Sequence, residues 1–521
     1  MESVFLNGEI SLSSKTIVTL IAGSVILLIL FRESYKTSVP KIPSLPEVPN
    51  GLPFVGHMLS LGGRKNQNDS TIFSRWAAQL SSDIFQCRIG SQRTVVVGSW
   101  SMARDLWVSH ANDLIDRPPQ PDFIDKLGVD VSGSPMTDRI RRCRQAAMRA
   151  LGKPKWPGYY RFLEPTSLDL VRAAFSKGEN GGRPMDIYPY VRRVAFDLIL
   201  SLTYGARFGE VDNDFTLGLL DAISEIASIR ASTTTFRHYV PLLRLIPERT
   251  SRTMAAERKR QAHIDVLYNS YRERVAKGEV LDCIVSSLNE DKLTEDEIHG
   301  TCISLLGAAS DTISSGIYQC LAWLCSPEGQ STQESIHARI LEVYNGDADM
   351  AWKMAFREEQ VPEVVSLYKE TLRYFSFTPF AAPRQTATNF EYNGIKFPRG
   401  LTMILNAQQA NHDTRHYGAD ALEFNPARFI GNDTSLPHFS FGAGSRVCAA
   451  FALSNRIMNG MLTRLLLAFK MRESDMNKPN IDMIHFSDVY GSIVAQPRAF
   501  DCCFLPRDSK WLERVTHESE G

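Results

Sequence analysis

Hydrophobic and polar positions divide the chain into unlike stretches. Residues 16–31, from Thr16 to Phe31, form an uninterrupted uncharged run rich in Ile, Leu and Val, flanked by Lys15 and Arg32. At ~1.5 Å per residue this run spans ~24 Å as a helix, short for an average bilayer but matched to a thinner one. No small-x-small cleavage site follows, so the run reads as a retained anchor and not a removed leader. Pro40, Pro43, Pro46 and Pro49 then recur every third residue, the period of a polyproline II helix, and predict a stiff spacer over residues 32–53. Short β-like pieces at 85–89 and 94–97 give way to long helix-patterned stretches, with a second group of extended pieces between 375 and 405. Thr294 and Glu297 make a capping box that opens a helix running to about Ser326, ahead of Pro327 and Gly329. Another helix-like run covers 449–467. The pattern predicts a mainly α body with small β-sheets (α+β) and no internal repeat.

Composition narrows the function. At 521 residues, with 43% hydrophobic and 22% charged residues, the chain can bury a large core and is neither disordered nor multi-spanning. Lys+Arg and Asp+Glu are equal at 58 each, so overall charge predicts no nucleic-acid partner. The nine cysteines are scattered and odd in number, which suits a reducing compartment. Arg32, Lys36 and Lys41 follow the apolar run while Glu2 and Glu9 precede it, which places the body in the cytosol. The sequons at Asn68 and Asn432 are then expected to stay unglycosylated. His412 and His416 have zinc-ligand spacing but no catalytic Glu between them, and read as loop and surface histidines.

The most informative stretch is Phe441-Gly442-Ala443-Gly444-Ser445-Arg446-Val447-Cys448. Gly442 and Gly444 allow the backbone to bend and approach a flat cofactor. Cys448 opens the helix-like run, whose dipole and N–H groups favour a thiolate over a thiol. A thiolate on haem iron promotes O–O cleavage, and Arg446 carries a fork suited to a haem propionate. Alone, the stretch also reads as a structural cysteine after a Gly-rich turn.

It does not stand alone, for it resembles the cysteine-pocket signature of the cytochromes P-450, F-x-x-G-x-R-x-C-x-G, with Ala450 at the final glycine. Further motifs follow in family order. Glu370 and Arg373 match E-x-x-R, at a spacing that shares a helical face, and Pro426-Ala427-Arg428-Phe429 resembles P-x-R-F. The resemblance makes Glu370, Arg373 and Arg428 a structural triad that holds the cysteine loop. Glu257 and Arg260 have the same spacing and read as an ordinary solvated helix surface.

Ala308-Ala309-Ser310-Asp311-Thr312 is similar to the family's oxygen-binding segment, with Ala309 at the usual second-position glycine. Ala308 and Thr312 are four apart and face one way, leaving room for dioxygen beside a hydroxyl. Asp311 and Thr312 are the expected proton relay. In isolation the same pair reads as a surface carboxylate and a back-bonded hydroxyl. Residues 138–144 fall where the family has W-x-x-x-R: Arg144 matches the arginine and Ile140 replaces the tryptophan. Arg144, Arg446 and Arg384 are the expected propionate partners, with Phe441 beside the cofactor. Arg139, Arg141, Arg142 and Arg149 give that helix a basic face, suited to an acidic flavoprotein and equally to solvent.

The resemblance implies a haem-thiolate monooxygenase with haem b held by Cys448, taking O2 and electrons from NADPH-cytochrome P-450 reductase to oxidise a small, fairly apolar molecule. Its implied layout is a lumenal 1–15, a single-pass endoplasmic reticulum membrane anchor at 16–31, a linker at 32–53 and a cytosolic haem-binding catalytic domain at 54–521. Residues 437–441 and 48–53 resemble filamentous-fungal members near phenylacetate hydroxylase-like and diketopiperazine-tailoring enzymes, which points to secondary metabolism. The pocket is expected from residues 116–136, 223–243, Leu305, Ala308, 377–380 and 490–494. The departures at Ile140 and Ala450 leave a haem sensor or carrier as the alternative, against which Asp311 and Thr312 argue, since a carrier needs no proton relay.

Overall fold

Thr294 starts the longest helix among the described residues. Its hydroxyl accepts from the Glu297 N–H while the Glu297 carboxylate accepts from the Thr294 N–H, and the helix runs Glu295–Cys325 until Ser326 turns extended before Pro327. At ~1.5 Å per residue it crosses ~46 Å. From Ile313 onward every side chain is buried. A helix covered on all sides must satisfy its own polar groups, and Ser314 does so by donating to the Ser310 carbonyl at 2.7 Å while Gln319 reaches Asn480 O at 2.7 Å. This central helix packs against the Tyr188–Tyr204, Pro362–Phe375 and Phe451–Ala468 helices.

The structure is a computed structural model that describes residues 14–34, 36–63, 67–119, 129–207, 214–230, 239–240, 243, 251–431 and 436–517. Around the helical body lie small sheets, as the hydrophobic pattern predicts. Ile84–Ile89 and Gln92–Val97 pair antiparallel, Thr402–Leu405 adds parallel to the second, and Arg384–Gln385 pairs antiparallel at the edge. Two further two-stranded ribbons join Phe390–Tyr392 to Ile395–Phe397 and Phe469–Glu473 to Cys502–Pro506.

The proline-spaced segment differs from a free spacer. Val39, Ile42, Leu45 and Val48 are all buried, and Gln86 clamps the segment by donating to Ile42 O at 2.7 Å and Leu45 O at 2.8 Å. A three-residue period that sets prolines on one side sets these aliphatic residues on another, so the stretch lies on the sheet as a covering strip. The packed body therefore includes this strip from Val39 onward.

Residues Ser14–Ser34 form a 21-residue helix covering the uncharged run. Ile17, Leu20, Ile21, Val25, Leu28 and Ile29 on it are exposed. Among the described residues no helix is long and apolar enough to cross a membrane; several side chains of the run, Thr16 and Phe31 among them, lie outside the described set. Asn68 of the first sequon caps the Asp69–Leu80 helix by accepting from Thr71 N at 2.8 Å, and Asn432 lies outside the described residues. All nine cysteines are free thiols, and seven are buried.

Candidate active site

The loop from Phe441 to Cys448 is closed by a hydrogen bond from Cys448 N to Phe441 O at 3.0 Å. Gly442 and Gly444 take left-handed backbone conformations, with φ of 68° and 65°. At Gly444 a side chain is excluded for a second reason: a Cβ there would lie 1.7 Å from the Trp107 carbonyl oxygen. The close approach that this glycine permits here is to the Trp107 backbone. Ser445 Oγ donates to Ala111 O at 2.7 Å and Thr378 Oγ1 to Ser440 O at 3.0 Å, fastening the loop on both sides. Phe441 is half-buried, edge-on to Phe451.

Cys448 sits three residues ahead of its helix, which is Phe451–Ala468 and not a helix opened by the cysteine itself. Burial is the largest influence on its thiol and raises its pKa; the Ala450 N–H and the Arg144 charge act the other way and do not overcome it. A thiolate at this position therefore needs a cation in addition to the helix end. The backbone N–H that supports the sulfur belongs to Ala450, so the glycine-to-alanine departure leaves that donor in place, at an unstrained φ of −95°.

Four guanidinium groups converge near the loop. Arg144 donates to Val447 O, Arg384 to Ala443 O at 2.8 Å and Leu114 O at 3.1 Å, and Arg446 to Ile115 O at 2.9 Å. Arg117, expected from the sequence only as part of the pocket segment 116–136, donates to Pro383 O at 2.7 Å and Ser132 O at 3.1 Å. All four are buried, and among the described residues none has a carboxylate within ion-pair distance. Burial first, then the charges of Arg446 and Arg144, push Arg117 down to about 9; burial and Arg144 push Arg446 down to about 10; burial and its three neighbours hold Arg384 well below the arginine range. Such mutual repulsion in a buried site asks for anionic partners, and the two propionates of haem would supply two negative charges. The residues present fit that group. Ile140, at the family's tryptophan position, is buried core.

Arg373 and Glu370 are fully buried, joined by two hydrogen bonds of 2.7 Å, and Arg428 Nε reaches Glu370 Oε1 at 3.2 Å. Arg373 Nη1 also donates to Asn411 O and Ala421 O, both at 2.8 Å, tying this cluster to the segment that leads into the cysteine loop.

A cavity of about 380 Å³ opens over the central helix. Ala308 and Thr312 line it, and Thr312 Oγ1 donates to Ala308 O at 3.0 Å, the back-bonded geometry. Asp311 also lines it and is no surface carboxylate: Arg192 pairs with it at 3.3 Å and donates to Ser224 Oγ at 2.9 Å. The expected pocket segments contribute Arg117, Ile223, Phe380 and Val494, whereas Leu305 and Phe377 are buried core, and Ile303 and Ser304 face the cavity in place of Leu305. Residues 120–128, 231–238 and 241–242 of those segments lie outside the described residues. Phe73, Gln92 and Ile404 also line the cavity, as does Arg260, which is 5% exposed and not the solvated helix residue its spacing suggests. The basic helix face is matched by carboxylates: Arg139 lies 3.4 Å and Arg142 closer still to Glu297, and Arg149 lies 2.9 Å from Asp291.

His412 and His416 do not converge. The His412 ring contacts Tyr374 O at 2.8 Å and burial lowers its pKa, while His416 stacks on Trp100 with ring centroids 3.5 Å apart. Among the described residues no group of metal-ligating side chains is assembled.

The cytochrome P450 family profile matches residues 46–504. The chain is 31% identical to a phenylacetate 2-hydroxylase of Emericella nidulans over 516 residues, 96% of this chain and 97% of that one. It is 25% identical to a 3-hydroxyphenylacetate 6-hydroxylase of the same organism, over 97% of each chain. A zebra fish cytochrome P450 structure with abiraterone shares the fold at a TM-score of 0.67, with 18% identity, covering 84% of this chain and 100% of that one.

Proposed function

Given that the chain belongs to the cytochrome P450 family and is a haem-dependent monooxygenase, we propose that it hydroxylates a small aromatic or otherwise apolar organic molecule in fungal secondary metabolism, with electrons from NADPH through a flavoprotein reductase. The observation that carries the residue assignment is the buried cluster of Arg117, Arg144, Arg384 and Arg446 beside the Cys448 loop, in which, among the described residues, no arginine has a carboxylate at ion-pair distance. In this reading the four arginines would hold the haem propionates and Cys448 would supply a thiolate to its iron, with Phe441 beside it. Bound there, the haem supplies oxygen activation.

The protein's own groups do the rest. Glu370, Arg373 and Arg428 keep the cysteine loop in register. Ala308 leaves space above the central helix, the Thr312 hydroxyl holds a proton at Oγ1, and Asp311 passes protons toward it from the Arg192 side. The aliphatic walls at Ile223, Ile303 and Val494 exclude water and favour an apolar substrate. The exposed aliphatic side chains of the Ser14–Ser34 helix support a single-pass anchor in the endoplasmic reticulum membrane with the body in the cytosol. Support for an aromatic substrate comes from the names of the two Emericella nidulans hydroxylases.

The test is the spectrum of the reduced, carbon monoxide-treated holoprotein. The thiolate-specific band is expected in the wild type and absent in Cys448→Ala; an unchanged band in the variant rules out this ligand.

A further inference from the structure

Tyr188 and Arg192 stand four residues apart on the Tyr188–Tyr204 helix and share one face, as do Asp311, Ser314, Ser315 and Tyr318 on the central helix. The two faces meet. Arg192 pairs with Asp311 at one end, and at the other the Tyr188 and Tyr318 rings lie 4.8 Å apart between centroids. The helices therefore pass in opposite directions with a polar seam between them.

One end of the seam opens on the cavity, which Asp311 lines. The other ends at Asp186, a half-buried carboxylate that accepts from Tyr318 Oη at 2.7 Å and from Tyr188 N at 2.8 Å. Phe500 N donates to Tyr318 Oη at 2.9 Å and fixes that phenol beside Asp186. Between the ends, Tyr188 Oη and Ser315 Oγ are buried, and neither has a hydrogen-bond partner among the described residues. They are close neighbours all the same: burial raises the Tyr188 pKa, and the charges of Arg192 and Asp311 and the Ser315 and Ser314 hydroxyls also act on its phenol. Ser314 commits its own proton to Ser310 O at 2.7 Å, which leaves its oxygen as an acceptor. Buried hydroxyls are almost always matched by protein or by ordered water, and these three give a water the partners it needs.

We propose that the seam feeds protons to the site, with Tyr188, Ser315 and a water held between them joining Asp186 to Asp311. This rests on the reading of Asp311 as a proton carrier and adds where its protons come from. Monooxygenation takes up protons from solvent as one oxygen atom leaves as water, so walls that exclude bulk water need a polar way in. Each hydroxyl along the seam releases its proton to the next oxygen and takes one from the oxygen behind. A proton that enters at Asp186 thus puts one on Asp311 and leaves the intervening groups unchanged. Arg192 is a positioning residue that holds Asp311 at the inner end.

Two measurements on the full-length holoprotein test this. A crystal structure of the wild type is expected to show an ordered water touching Tyr188 Oη and Ser315 Oγ; no water there overturns the proposal. Oxygen consumption, driven by NADPH through a flavoprotein reductase with phenylacetate as the probe, is then compared in light and heavy water. Tyr188→Phe keeps the ring and loses only the hydroxyl. It should slow consumption about tenfold, short of the ~100-fold that a direct acid–base group supplies, and enlarge the solvent isotope effect. Ser315→Ala should do the same, and the double variant no more than either alone, as for groups on one path. A rate and isotope effect unchanged in Tyr188→Phe overturn the proposal, as does a slower rate with the wild-type isotope effect, which marks a merely structural phenol. An enlarged isotope effect in Asp311→Asn with none in Tyr188→Phe removes only the seam. No effect in Asp311→Asn removes the proton-carrier reading and the seam with it. These variants are expected to keep the carbon monoxide band, so the Cys448 assignment stands or falls separately.

Discussion

Arg373 holds both carboxylate oxygens of Glu370 at 2.7 Å, and neither side chain meets solvent. Both charges are balanced only by each other, by Arg428 and by backbone groups such as Asn425 N, which donates to Glu370 Oε1 at 2.8 Å. Removing one partner strands the other in the core, which costs about 3–5 kcal/mol. Glu370→Ala is therefore expected to lower the unfolding free energy from urea titration by that amount and to shed haem. A variant as stable as the wild type, with full haem content, would show that the triad is not structural.

The four-arginine cluster predicts opposite behaviour. Arg117 is buried among like charges, so it contributes little to the haem-free fold and much to holding an anion. Arg117→Leu should accelerate haem transfer to apomyoglobin by about tenfold, the loss of one charge-assisted contact, while the thermal midpoint of the haem-free protein moves little. Equal losses in both measurements would make Arg117 an ordinary structural residue.

What the sequence revealed and what it hid follow from locality. The capping box, the cysteine loop and the Glu370–Arg373 pair are each written within a few consecutive residues, and all three form as spaced. Glu257–Arg260 has the same spacing as Glu370–Arg373, so spacing alone cannot tell a surface pair from a buried one. The missed signal was phase, since Arg260 aligns with Ala256 and Ile264. The proline period drew attention to stiffness, while the aliphatic residues of equal period at 39, 42, 45 and 48 pointed to packing. Arg117 sits in a loop, where no periodicity reports burial, and its partners arrive from residues 132 and 383.

Two buried histidines give stability a pH dependence. Burial, more than any charge, lowers His412 to about 4 and His438 to about 3. Both are neutral in the folded state at pH 5, whereas in the unfolded chain they take up protons below about 6.5. The unfolded state therefore binds more protons between about pH 6.5 and 4, and stability falls as pH drops through that window, with no contribution above it. His438 Nδ1 accepts from Ser440 N at 3.2 Å, a role an asparagine oxygen can take. His438→Asn should shrink the difference between urea midpoints at pH 7.5 and pH 5, and an unchanged difference would remove His438 as a cause.

Thr312 raises the sharpest question, because its hydroxyl proton is committed to Ala308 O at 3.0 Å. A threonine serving only to cap that carbonyl could become valine at little cost to turnover, since the methyl groups keep the cavity shape. A threonine that delivers protons could not, because the back-bond leaves its oxygen lone pairs facing the cavity as the acceptor through which a proton from Asp311 would pass. The relay predicts that Thr312→Val keeps substrate affinity and NADPH consumption while product per NADPH falls several-fold and hydrogen peroxide rises, and that Thr312→Ser keeps most of the coupling. Asp311→Asn, which removes the carboxylate paired with Arg192, should slow turnover and enlarge the solvent isotope effect. Wild-type coupling in Thr312→Val would leave the hydroxyl with the carbonyl alone.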